Sequence, residues 1–311
     1  MLPFPRFSYE APERLDDALA LLAQPGAMPI SGGTDLLPSV KHRLFEPSVL
    51  VSTRRLHGFR DITPLPDGGL AIGAGVTLRD VARSEVVRRG WPALAAACAT
   101  VATPTIQNMG TLGGNVMLDT RCMYYNQPAG WRASLGYCLK REGTVCHVAP
   151  KGKGCYAAHS ADTVPALWLY GARVELAGAA GRREIPLAAF YEDDGIAWMK
   201  AERGDLCTRI LLPAANGVVT HRKLRTRAAI DYAWLLLAVQ RPAEGPLRAV
   251  LSAVGPRPIE VEGEDAATLA ENAFRLTQPL ATHLLAPPYR KRMVRVEVCR
   301  AAEALGPRVA G

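Results

Sequence analysis

Two glycine-rich loops constrain this chain more than any other feature of its sequence. The first, "PISGGTDLLP", sets Ser31, Gly32, Gly33 and Thr34 between a short apolar segment, "AMPI", and a helical pattern. The second, "NMGTLGGN", runs from Asn108 to Asn115 and holds Gly110, Gly113 and Gly114, with Thr111 and Asn115 as hydrogen-bonding side chains. Glycine lets the main chain turn sharply and lets a ligand approach it closely. The free N–H groups of such loops favour an anionic group, typically a phosphate. Neither loop fits G-x-G-x-x-G, and no G-x-x-x-x-G-K-[ST] occurs, so nicotinamide-type Rossmann and P-loop readings lose ground. "IGAGVTL" has only the first two glycines of a dinucleotide fingerprint and reads as a turn. Two phosphate-ready loops roughly 80 residues apart predict a pyrophosphate pinched between two lobes, and hence a dinucleotide.

Around the loops the pattern is mixed. "PERLDDALALLAQ" spaces Leu15, Ala18, Leu19 and Leu22 as one helix face, with acids early in the helix. "SVLVST" reads as a buried strand, and "GGLAIGAGVTLRDVARS" as strand, turn and helix with Thr77 as the cap. "WPALAAACATVAT" is apolar all round and predicts a buried helix. "TVPALWLYGARVELAG" reads as a helix feeding a strand. Beyond a boundary near Asn216–Gly217, "VVTHRKLRTRAAIDYAWLLLAVQ" reads as a strand-like entry followed by an apolar helix. "RAVLSAVGPRPIEV" follows as a strand with a Pro-rich turn, and two helices complete the order. With 311 residues, more than one domain is expected.

The segment from Arg121 to Cys155 holds four of the seven cysteines, Cys122, Cys138, Cys146 and Cys155, with gaps of 15, 7 and 8 residues. An odd count in a large chain without a secretory signal argues against a disulfide framework. No C-x₂-C occurs, so neither a ferredoxin nor a zinc-ribbon spacing is matched. Four thiolates could hold structural zinc tetrahedrally, or an iron–sulfur cluster. Lys140, Arg141, Lys151 and Lys153 would offset the charge of an anionic cluster, while Gly143, Gly152 and Gly154 would let N–H groups reach the sulfurs. His147 reads as a hydrogen-bonding residue, and Cys98, Cys207 and Cys299 as packing residues.

The net charge of +8 is scattered rather than interleaved with aromatics, so no nucleic-acid partner is expected. No apolar run reaches the roughly 20 residues that span a bilayer, so no membrane partner is expected and the cytoplasm is the expected compartment. There is no G-x-S-x-G or H-E-x-x-H, and no catalytic acid–base or nucleophile set is assigned to this chain.

"GGTDLLP", "MGTLGGN", "ADTVPALWLYGARVEL" and "HRKLRTRAAIDYA" together resemble the flavoprotein subunits of the molybdenum hydroxylases, of the xanthine dehydrogenase and carbon monoxide dehydrogenase types. The resemblance covers nearly the whole chain. It implies an α+β fold with a two-lobed FAD-binding domain over residues 1–215, the lobes being roughly 1–55 and 56–215, and a smaller C-terminal α/β domain over 216–311. It places FAD on Pro29, Ile30, Ser31, Gly32, Gly33, Thr34, Asp35 and Leu36 of the first loop. On the second it uses Gly110, Thr111, Gly113, Gly114 and Asn115. Asp162 would contact the ribityl chain, Lys223 would lie near the flavin, and Val101 and Leu206 would form apolar walls.

In that family the aspartate follows the second loop closely. Here a segment of about residues 119–158 intervenes, and it resembles the insertion of the β subunit of 4-hydroxybenzoyl-CoA reductase, in which four cysteines hold a 4Fe–4S cluster. By that resemblance the chain is an electron-relay subunit of a molybdenum oxidoreductase. Reductive dehydroxylation of an aromatic CoA thioester is the expected reaction. An oxidative hydroxylase, or an FAD module with structural zinc, is the alternative. The implied partners are a molybdopterin-containing large subunit, a small subunit with two 2Fe–2S clusters, and ferredoxin or a similar carrier. A dimer of heterotrimers is the implied assembly. Because both flavin loops lie outside the cysteine segment in sequence, losing Cys138 is expected to leave FAD bound.

Overall fold

The computed structural model describes residues 3–228 and 230–306. The chain adopts the expected α+β architecture, built on three sheets. Strands β1 (Ser8–Glu10), β2 (Ala27–Ile30) and β3 (Val49–Ser52) form a small parallel sheet in the order β1-β3-β2. The helix Leu15–Leu22 crosses between the first two strands and buries Ala18 and Leu22, so its apolar spacing faces inward as the sequence predicts.

The second sheet joins β4 (Ile62–Pro64), β5 (Leu70–Gly73), β6 (Arg173–Gly178), β7 (Gly181–Pro186) and β8 (Leu206–Leu212) in the order β4-β5-β8-β6-β7, all antiparallel. The helix Leu78–Arg83 leaves this sheet after β5. Its predicted cap is present: Thr77 Oγ1 accepts from the Asp80 N–H at 3.1 Å. The helix Pro92–Thr100 buries Ala93, Leu94, Ala95, Ala97 and Cys98, which explains its apolar circumference.

The third sheet is a meander of β9 (Val218–Leu224), β10 (Leu235–Arg241), β11 (Leu247–Ser252) and β12 (Ile259–Gly263). Two helices, Ala266–Leu276 and Pro287–Glu303, pack on it. Here the sequence expectation fails, because "LLLAVQ" is the strand β10 and not part of an apolar helix. Leu235, Leu237 and Val239 face the two helices, while Ala238 turns to the core of the preceding sheet. A strand buried on both faces reads as a continuous apolar run and carries no alternation to betray it. Helix propensity differs by at most roughly 0.7 kcal/mol among ordinary residues. Each buried Leu or Val contributes roughly 1.5–3 kcal/mol, so the sheet wins. Among the described residues no helix is long and apolar enough to cross a membrane.

Candidate functional site

The two glycine loops meet. Gly32 lies so close to the Met109 carbonyl that a Cβ at this position would overlap it, and Gly110 approaches Thr34. Leu78 N–H donates to the Gly110 carbonyl at 2.8 Å, Leu112 N–H to Val76 at 2.9 Å and Gly113 N–H to Ala74 at 3.0 Å, which stitches the second loop to the turn after β5. Thr111 caps the short helix Leu112–Val116 by accepting from Gly114 N–H at 3.1 Å.

Between the loops lies a cleft of about 330 Å³, counting its open mouth. Ser31, Gly32, Met109 and Thr111 line it from the two loops. Thr53, Arg54 and Arg60 line it from the chain after β3, and Gly75 and Thr77 from "IGAGVTL". The sequence reading of that last stretch as only a turn is therefore corrected: it is a turn that also forms a cleft wall. Arg54 and Arg60 are exposed cations that no local motif marks, because tertiary contact alone brings them to the loops.

Gly33 has φ +69°, the left-handed region that favours glycine, and its added Cβ would meet Leu37 and Ile30. Its glycine requirement is thus conformational. Pro29 and Ile30 end β2, and Asp35 and Leu36 begin the helix Leu36–Lys41.

Behind the second loop, Asn115 Oδ1 accepts from Thr163 N–H at 3.1 Å and from Thr163 Oγ1 at 2.7 Å. This ties the loop to Asp162. Asp162 Oδ1 is 2.5 Å from the ammonium of Lys223, which also donates to the Thr100 carbonyl at 3.0 Å, next to Val101. Both side chains are buried, and among the described residues Oδ1 has no hydrogen-bond partner besides that ammonium. Burial pushes the Asp162 carboxyl up and Lys223 opposes the shift. Asp162, Lys223 and Val101 thus come together although they are some 120 residues apart at the extremes. Leu206 is buried at the start of β8 opposite Ala177 and does not line the cleft between the loops.

The cysteine segment is pinched at its base, where Arg121 and Ala158 exchange both backbone hydrogen bonds at 2.7 Å. Inside it, Cys122, Cys138, Cys146 and Cys155 are all unpaired, buried, and line a single recess of about 280 Å³, counting its mouth. Tyr124, Tyr125, Leu139, Val148 and Ala157 make the rest of the wall largely apolar, and Lys140 adds a charge. Burial pushes the Cys122 thiol up to about 11 and raises Cys155, against which Lys140 acts. Among the described residues no group of three or more His, Cys, Asp or Glu side chains is arranged to hold a metal ion at one point.

Several expected roles change. Of the four basic residues expected near the sulfurs, Lys140 lines the recess; Lys151 and Lys153 are exposed. Gly143 and Gly152 donate their N–H groups to the Cys138 and Ala149 carbonyls, so they serve turns rather than sulfurs. His147 is hydrogen-bonded to the Tyr137 carbonyl. Cys98 and Cys207 are buried in the main core, and Cys299 packs against the C-terminal one. Gly195 was not legible as a site residue. Its N–H donates to the Cys155 carbonyl at 2.9 Å, and a Cβ there would lie 2.7 Å from the Cys155 sulfur.

Residues 5–215 match the family described as the FAD binding domain in molybdopterin dehydrogenase, and the chain belongs to that family. The FAD-binding subunit of an aldehyde oxidoreductase from Escherichia coli (strain K12) is 34% identical over 272 residues, covering 84% of this chain and 85% of the relative. The carbon monoxide dehydrogenase medium chain of Hydrogenophaga pseudoflava is 37% identical over 118 residues, 37% of this chain and 40% of that one. A chain of quinoline 2-oxidoreductase from Pseudomonas putida 86 shares the fold, with a TM-score of 0.76 at 24% identity and 98% of each chain covered.

Proposed function

We propose that the chain is the FAD-binding subunit of a multi-subunit molybdenum oxidoreductase, and that Cys122, Cys138, Cys146 and Cys155 hold a 4Fe–4S cluster in it. The observation that carries the cluster reading is four unpaired, buried cysteines around one recess, packed against Leu44 beyond the helix that follows the first glycine loop. A zinc ion needs its four sulfurs about 2.3 Å from one point. A cluster places its own iron and sulfide between them and takes a wider ring. The FAD reading rests on the family and on the loop contact, which leaves a narrow cleft walled by main chain and edged by two arginines.

In this reading Ser31, Gly32 and Thr111 receive the pyrophosphate, and Arg54 and Arg60 offset its charge. Asp162, whose Oδ1 has a cation but no other hydrogen-bond partner among the described residues, accepts from a ribityl hydroxyl, and Lys223 fixes its orientation. Val101 supplies an apolar wall beside the Lys223 ammonium. When bound, FAD exchanges electron pairs and the cluster single electrons, so the pair serves as a relay. The division is an FAD-binding unit over 1–215 and a C-terminal unit over 216–311. The partners are a molybdopterin-containing large subunit and a small 2Fe–2S subunit, assembled as a dimer of heterotrimers in the cytoplasm. Ferredoxin or a similar carrier exchanges electrons with the complex.

Two substrate readings have support. A relative matched over most of both chains is the FAD-binding subunit of an aldehyde oxidoreductase, which supports an aldehyde as the substrate of the complex. The resemblance of the cysteine segment favours reductive dehydroxylation of 4-hydroxybenzoyl-CoA. Isolating the complex on a tagged copy of this chain and assaying both reactions decides between them. Isolation of the chain alone, with no molybdenum-containing partner, would contradict the subunit assignment.

A further inference from the structure

In sequence both flavin loops lie outside the cysteine segment, yet the fold clamps the first of them to it. The helix Leu36–Lys41, which continues the first loop, has only six residues, too few to hold itself in water. Its N-cap residue, Asp35, does not cap it with its side chain; the carboxylate is paired with the Arg121 guanidinium instead. Arg121 directly precedes Cys122, and its main chain forms half of the neck that closes the cysteine segment.

At the other end of the helix, Arg132 is 2% exposed. Its guanidinium donates to the carbonyls of His42 at 3.1 Å and Arg43 at 2.9 Å, and its Nε to Gln127 at 3.1 Å. Main-chain N–H groups of His42, Leu44 and Arg43 already meet the helix's Pro38, Ser39 and Val40 carbonyls, and Arg132 meets the carbonyls of the two residues that follow the helix. It also secures Arg43, which has φ +59°, a left-handed conformation that a non-glycine residue adopts only when held. The next residue, Leu44, is buried against Cys122, Cys138 and Cys155. The helix of the first loop is therefore held at its start, at its end and at its exit by one segment, and that segment folds around the thiols.

We propose that Arg121 and Arg132 are positioning residues for the first flavin loop, through which filling the cysteine recess tightens the binding of FAD. The proposal rests on the FAD and cluster assignments above. A metal centre joining four cysteines removes most of the freedom of the loop between them, and its binding energy becomes folding energy of that segment. With the recess empty, the segment loosens, Arg121 and Arg132 lose their fixed places, and the ordering of Asp35 and its loop must be supplied when FAD binds. Linkage makes the effect reciprocal, so FAD also favours retention of the cluster. The sequence-based expectation that losing Cys138 leaves FAD bound is refined by this: FAD should still bind, but more weakly.

The test compares FAD dissociation constants, by flavin fluorescence on dilution, for the purified chain as isolated and after removal of the cluster with ferricyanide and chelator. Stripping should weaken FAD binding about tenfold, within the range usual for coupled sites. Arg121→Met with iron and sulfide retained should already bind FAD about tenfold more weakly. Stripping it should then change little, and Arg121→Lys should recover part of the loss. Where Arg121→Met does not fold, Asp35→Asn removes the same ion pair from the other side. Equal FAD affinity in the intact and stripped wild type, or unchanged affinity in Arg121→Met and Asp35→Asn, would overturn the proposal. Iron and sulfide analysis of the starting material separates these outcomes from failure of the cluster assignment, which shows as flavin without iron.

Discussion

Lys140 illustrates how much one side chain can be made to do by its surroundings. Its side chain is 5% exposed, and its ammonium is 2.5 Å from Asp119 Oδ1 and 2.7 Å from the Gly195 carbonyl, with Thr120 Oγ1 as a third acceptor. Three acceptors saturate the three protons of an ammonium, so the charge is fixed in place. The rings of Tyr125 and Trp198, 4.6 and 4.9 Å away, shield it from water. A fixed positive charge beside the recess favours the reduced, more negative state of a cluster bound there. Lys140→Met should lower the midpoint potential in a spectroscopically followed titration, and Asp119→Asn should raise it. Removing one member of a buried pair costs roughly 3–5 kcal/mol, so the double variant Lys140→Met/Asp119→Asn checks that the shifts are not a folding defect. Potentials that stay put with the cluster intact would rule out this role.

At the scale of elements, the contact between the two glycine loops is the decisive feature, and its two neighbouring glycines act for different reasons. Gly32→Ala must push the Met109 carbonyl away, because main chain cannot yield as a side-chain tip can. It should cost roughly 1–3 kcal/mol in denaturant unfolding, as overpacked sites do, and abolish stoichiometric FAD. Gly130→Ala, with nothing within 4 Å of the added Cβ, is the control and should match the wild type or exceed it slightly. The loops themselves were legible only as a pair, because one glycine run between apolar segments reads equally well as a turn. Their partners Thr53, Arg54, Arg60 and Gly75 were not, since nothing local marks a residue whose role comes from a distant contact. The same holds for Gly195 against Cys155. β10 was misread because a short apolar run buried on both faces has no period to identify it. The four cysteines were legible as a set, whereas the clamps by Arg121 and Arg132 depend on main-chain carbonyls, which leave no trace in side-chain patterns.

For the whole molecule, one buried and two partly buried histidines link stability to pH. Burial lowers His159 to about 3, and it lowers His221 and His283 to about 4, with Lys223 adding to the shift of the first of these two and Arg290 to that of the second. Unfolded, each takes up a proton near pH 6.5. The folded state is therefore fully stabilised by them above that value. It loses about 1.4 kcal/mol per pH unit for each histidine as the pH falls towards the folded values. Urea midpoints should drop between about pH 7 and about pH 5, and His283→Asn should flatten the slope by about one proton. Midpoints equal at both pH values would contradict this reading of the core.

In the proposed function a flavin and an iron–sulfur cluster share one fold because the cysteine recess is built against the exit of the helix that follows a flavin loop. Iron, acid-labile sulfide, zinc and FAD measured together on the purified chain test it most directly. About four iron and about four sulfide for each FAD are expected, with zinc near background. About one zinc per chain with no sulfide would contradict it.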